Sequence, residues 1–182
     1  VREALLRVAE GEPEAARLTL RTIRFEPTPR RPERWPAISV VARVYSRDQY
    51  QCRYCGERTI LPPVMRLLAR LFPDEFPMHP NWKAELTHPA FVSRSTTLDH
   101  VAPIAGGGDP VAEENLVTAC WGCNRRKGDL TLVELGWTLR APADLEWRGL
   151  TEYYEPACIA AGRPPLSATE MTWMRATRVQ VR

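Results

Sequence analysis

The sequence has no apolar run approaching the ~20 residues that a bilayer-crossing helix requires. Its first residues, VREALLRVAEGEP, have no signal-peptide core. The expectation is therefore a cytoplasmic chain. No internal repeat and no low-complexity tract is present, which removes solenoids and compositional linkers from the candidate architectures. Histidine is scarce, at three residues in 182, so imidazole chemistry has few places to sit. Net charge is also small, at +3, too little by itself to require a polyanionic partner. The five cysteines are an odd set, awkward for a disulfide framework in a compartment that rarely keeps disulfides.

What is present describes a globular protein. A hydrophobic share of 44% with 26% charged residues, over this length, suffices for one buried core with extensions. The positive charge is unevenly spread: arginines crowd RTIRFEPTPRRPERWP, NRRKGD follows the second cysteine pair, and MRATRVQVR closes the sequence. Three such clusters lean toward nucleic acid.

Periodic apolar spacing predicts helices over EALLRVAEGEPEAARLTL, split by Gly-Glu-Pro, and over AISVVARVY, leading into the first cysteine pair. A Pro- and Arg-rich strip at 27–36 reads as extended. Pro62 and Pro63 open a helix with its apolar face at Val64, Leu67, Leu68 and Leu71. Short helices are expected in LTLVELGW and GLTEYYEPACIAA, the latter bent or broken at Pro156. Ser167, three residues before Glu170, has capping-box spacing for a final helix. The chain is divided as 1–36, an N-terminal helical and basic extension; 37–130, a core with an insertion at about 57–96; and 131–182, a helical extension.

Four cysteines form two Cys-x-x-Cys knuckles, Cys52 with Cys55 and Cys120 with Cys123, leaving Cys158 as a buried apolar residue. Four thiolates close a tetrahedron around Zn2+ with no open position, so the expected role is structural. The 64 residues from Gly56 to Ala119 separate the knuckles, and zinc would staple two distant parts of the chain.

Between and after the knuckles lie the groups that phosphodiester hydrolysis needs. A histidine serves as base near neutral pH, and a hard cation on oxygen ligands neutralises charge on the leaving oxygen. His100 offers the imidazole and Asp99 a carboxylate. Adjacent in a strand, they face opposite sides, so both reach one site only where regular pairing twists or ends. The glycines of AGGGDP permit a tight loop, and Asn124 follows Cys123 in the first turn of a helix. Arg125, Arg126 and Lys127 are placed to face a phosphate backbone. His79 and His88 read as structural. The six tryptophans read as core or half-buried packing.

The motifs CRYCG, TLDHVAPIAGGG, ENLVTAC and CNRRKGD resemble the HNH endonuclease family in its four-cysteine form. The resemblance implies an α+β protein: a zinc-stapled ββα-metal core with flanking helices and an insertion between the knuckles. It implies His100 as general base, Asp99 and Asn124 as ligands of Mg2+ or Mn2+, and Asn115 as the residue that braces the loop between the strands. Asparagine at 124, in place of histidine, offers amide oxygen and favours the harder ions. The implied partner is DNA, with RNA second and a protein partner open to the insertion or the extensions. The rival reading is a catalytically silent zinc-stabilised module that binds nucleic acid or acts as a scaffold.

Overall fold

The computed structural model describes residues 2–22, 35–164 and 167–178. Residues Val1–Pro32 and Glu33–Arg182 form two compact units. In the first, α1 (Arg2–Ala9) and α2 (Pro13–Arg21) touch each other, and each buries one alanine, Ala4 and Ala16. Gly11, at φ +80°, turns the chain between them, and Pro13 opens α2. Most of the strip expected to be extended at 27–36 lies outside the described residues.

In the second unit, α3 (Ile38–Arg47) precedes the first cysteine knuckle, and α4 (Pro62–Leu71) begins on the paired prolines and ends at Phe72, before Pro73. Then come α5 (Ala90–Arg94), β1 (Thr96–His100), β2 (Leu116–Cys120) and α6 (Trp121–Lys127), a strand, strand, helix sequence. The remainder is helical: α7 (Leu132–Leu135), α8 (Thr151–Ala160) and α9 (Ala168–Arg178). The result is a mixed helix and two-stranded-sheet architecture, compatible with the ββα arrangement. Contrary to a break at Pro156, α8 runs through that residue. Pro156 is the sixth residue of the helix, so it leaves the Glu152 carbonyl without the N–H that would otherwise donate to it.

The strands pair antiparallel, Leu98 opposite Thr118, Asp99 opposite Val117 and His100 opposite Leu116. Alternation puts Leu98 and His100 on one face and Thr97 and Asp99 on the other. Each face meets its own core. Leu98 and Leu116 join Val41, Val44, Leu61, Val64, Leu67, Tyr154 and Met174; Val117 and Ala119 join Cys52, Tyr54 and Cys120. A two-stranded sheet is marginal alone, so burial on both faces holds it.

The outer edge of β2 is closed by the last residue of α3 and by groups that follow it. The Arg53 N–H donates to the Thr118 carbonyl at 2.8 Å, and the Thr118 N–H donates to Asp48 Oδ2 at 2.8 Å. Arg47 donates to the Leu116 carbonyl at 2.7 Å. Asp48 is completely buried, its charge met by Arg47 and Arg53. The segment at 57–96 contributes Leu61, Val64 and Leu67 to the core. It also gathers Phe76, Trp82, His88 and Phe91 into an aromatic cluster. The Ser167–Glu170 capping box forms, and Glu170 also pairs with Arg70 of α4 at 2.8 Å.

Candidate active site

The four cysteines of the two knuckles place their sulfurs within 4.8 Å of one another. For Zn–S bonds of ~2.3 Å a regular tetrahedron has edges of about 3.8 Å, and the Cys55–Cys120 sulfurs are 4.0 Å apart. The donor set therefore fits zinc. Cys120 caps α6, its sulfur accepting from the Cys123 N–H at 3.4 Å, so the second knuckle lies in the helix start rather than before it. The hydrogen bond from Cys120 lowers the Cys52 thiol to about 5, while that same bond and burial push Cys120 up; burial and the Cys52 thiolate raise Cys123 to about 12.

Asp99 and His100 end β1, both nearly buried. Asp99 Oδ1 accepts the His100 N–H at 2.8 Å, and Oδ2 accepts the Tyr54 hydroxyl at 2.7 Å. Burial, then the Asp99 charge, holds the Tyr54 phenol protonated far above its usual range. The ring of His100 points its Nε2 at the Pro110 carbonyl, 3.0 Å away. A carbonyl only accepts, so Nε2 carries the proton and Nδ1 is the basic nitrogen of the neutral ring.

Pro110 is held there by the loop that joins the strands. Asn115 Oδ1 accepts the Ala102 N–H at 2.7 Å, and its Nδ2 donates to the carbonyls of Ala102 and Asp109 at 3.1 and 2.8 Å. One amide thus ties both ends of the loop. Gly108 is required by closeness, since a Cβ there would lie 2.1 Å from the Ala102 carbonyl oxygen.

α6 crosses the Thr97 and Asp99 face. Asn124 Nδ2 donates to Thr97 Oγ1 at 3.0 Å and to the Leu98 carbonyl at 2.8 Å, so both bonds use the amide nitrogen. Lys127 differs from the expectation of a phosphate-facing side chain: it is 1% exposed, its Nζ donating to the His100 carbonyl at 2.7 Å and lying 3.6 Å from Asp99 Oδ2. Three residues on from Asn124, nearly one turn, it shares the strand-facing side of the helix, where it balances a buried carboxylate. Arg125 and Arg126 are exposed, their guanidinium groups over the rings of Trp121 and Trp137, each at 5.5 Å. Asp99, His100, Asn124 and Lys127 line one pocket of about 270 Å3, with Trp35 and Asp129 at its wall.

Residues 87–130 match the HNH endonuclease family model. This segment is an HNH domain. The match spans less than half of the chain, and no curated protein and no solved structure matches it. An HNH domain indicates nuclease-type chemistry with divalent metal and a nucleic-acid substrate, and the pocket falls inside the matched segment apart from Trp35. Sequence reasoning missed three residues that contact Asp99, β2 or His100. Tyr54 and the buried Asp48 carry no motif; their roles come from tertiary contacts with Asp99 and β2. Trp35 was expected in packing, yet it is 61% exposed, with its ring centroid 6.3 Å from that of His100.

Proposed function

We propose that the protein is a metal-dependent endonuclease that hydrolyses phosphodiester bonds in DNA, with His100 as general base. The observation that carries this reading is the orientation of the imidazole. Nε2 is committed to Pro110, so Nδ1 is the nitrogen that takes a proton from water, in a pocket shared with Asp99 and Asn124. The Asp99 carboxylate and the Asn124 amide oxygen would hold Mg2+ or Mn2+, which supplies charge neutralisation at the phosphate and the leaving oxygen. These donors suit a hard ion, because Asn124 spends its nitrogen on Thr97 and Leu98 and keeps oxygen for coordination.

The chain's own residues do the remaining work. Asn115 fixes the Pro110 carbonyl and therefore the ring that receives the proton. Lys127 anchors the end of β1 through the His100 carbonyl, and Tyr54 orients Asp99. The zinc expected on Cys52, Cys55, Cys120 and Cys123 is structural, and Arg125 and Arg126 meet the phosphate backbone.

His100→Ala tests the reading. With unchanged folding, zinc content and DNA affinity, cleavage of DNA in Mg2+, offered as supercoiled plasmid and as single strand, falls by at least ~10²-fold, the low end for loss of a general base. Asp99→Ala also stops cleavage, but through the ion, and high Mn2+ recovers part of it. Equal cleavage by the parent and His100→Ala, from matched preparations, refutes the assignment and leaves a binding module.

A further inference from the structure

Trp35 has a place in the fold that packing does not explain. Its indole is 61% exposed, belongs to neither hydrophobic core, and forms part of the pocket that contains Asp99, His100 and Asn124. The ring meets His100 at an interplanar angle of 70°, an edge contact that fixes the pair without stacking them.

A second aromatic surface lies at the start of α6, next to the Thr96 end of β1. Trp121 is half-buried and lies 5.6 Å from Trp82, a residue of the insertion, with the exposed Arg125 guanidinium 5.5 Å from its ring. At 3.6 residues per turn Trp121 is about 60° around the helix from Asn124. Aromatic faces interleaved with cations beside a hydrolytic pocket are the chemistry that receives stacked bases and their phosphates. In a duplex the base faces are already stacked on one another. A single strand offers a base face to an indole directly, whereas a duplex does so only after unstacking or flipping a base, at about a few kcal/mol.

We propose that Trp35 is a stacking residue for an unpaired base next to the scissile phosphate, and that the substrate of this site is a single-stranded nucleic acid. The inference rests on the reading of the pocket as a phosphodiester hydrolase. Trp35 acts as a positioning residue, setting the base so that its phosphate lies before Nδ1 of His100, while Trp121 and Arg125 receive the strand further along α6.

Binding decides this without cleavage. Zinc-loaded full chain, in buffer free of added Mg2+ and Mn2+, is titrated into fluorescent oligonucleotides of one sequence: single-stranded DNA, single-stranded RNA and blunt duplex DNA. The parent binds a single strand more tightly than the duplex, and whichever strand binds more tightly identifies the sugar. Trp35→Ala weakens single-strand binding by about tenfold, within the range for one base stacked on one aromatic ring, and leaves duplex binding unchanged. Trp35→Phe retains most of the affinity. Trp35→Leu, which keeps apolar bulk without a π face, behaves like Trp35→Ala. Melting temperatures of all three stay near that of the parent, as suits an exposed side chain. Equal parental affinity for duplex and single strand, or Trp35→Leu binding as well as Trp35→Phe, overturns the inference. A complete stacking pattern with no cleavage in Mg2+ or Mn2+ refutes hydrolysis alone, and cleavage without the stacking pattern refutes this inference alone.

Discussion

Replacing Lys127 by methionine tests whether the end of β1 is held by a buried charge. Methionine keeps most of the volume, so the cavity contribution is small. What is lost is the ammonium: its 2.7 Å bond to the His100 carbonyl and its 3.6 Å approach to Asp99, in a place where the lysine side chain is 0% exposed and the aspartate side chain 10%. Removing one partner of a buried ion pair costs about 3–5 kcal/mol. Asp99 keeps two other donors, Tyr54 and the His100 N–H, which sets the expectation at the lower end, about 3 kcal/mol. For a chain of this length that lowers the melting temperature by roughly 6–12 °C. The assay is urea and thermal unfolding of the zinc-loaded protein. The double variant Asp99→Asn with Lys127→Met removes the orphaned charge as well, so its loss falls short of the sum of the two single losses by at least about 1 kcal/mol. A Lys127→Met protein within 1 kcal/mol of the parent, additive with Asp99→Asn, would place the lysine at the surface and refute the argument.

Two further outcomes follow from the site. Purified protein carries about one zinc per chain, and serine at both Cys52 and Cys120 abolishes it; folded, active parent without zinc by elemental analysis removes the stapling argument. Arg125→Ala with Arg126→Ala weakens DNA binding alike on unrelated sequences and reduces the salt dependence by up to about two charges' worth, Lys127 making no contribution; an unchanged salt slope moves the phosphate contacts off α6.

The site was legible where chemistry depends on local order. Asp99, His100, Asn124 and the four cysteines carry spacing that constrains them, and the structure gathers the first three on one pocket and the sulfurs into one cluster. Helices announced by proline and by the Ser167–Glu170 spacing were legible for the same reason. Lys127 was not, because Arg125, Arg126 and Lys127 were taken as one basic face, whereas successive helix residues point about 100° apart. Position 127 is three residues from Asn124, about 60° around the helix, so it shares the strand-facing side that residues 125 and 126 leave. Asp48 and Tyr54 were illegible because each acts across more than forty residues of chain, on β2 and on Asp99. Trp35 was misjudged by composition, since tryptophan is on average well buried, although its place in the Pro- and Arg-rich strip at 27–36 marks an exception.

The start of α6 also explains why a structural metal belongs beside this pocket. The helix has seven residues, too short to hold itself together in water. Its sequence begins on a sulfur cap at Cys120, carries Cys123 within its first turn, places Asn124 next and Lys127 one turn later. Two hydrogen bonds from the Asn124 amide, each a modest net contribution of about 1 kcal/mol, are not enough to set an amide oxygen opposite Asp99 if the helix start is loose. Zinc on Cys120 and Cys123 would tie that start to Cys52 and Cys55, and the first knuckle is itself anchored to the edge of β2 through the Arg53 N–H and the Thr118 carbonyl. The strand that carries Asp99 is paired with β2 along its length. Both proposed ligands of the catalytic ion are therefore referenced to one rigid strand, Asp99 through the sheet and Asn124 through the thiolates, which is how a site with two protein ligands can be set before its ion and substrate arrive.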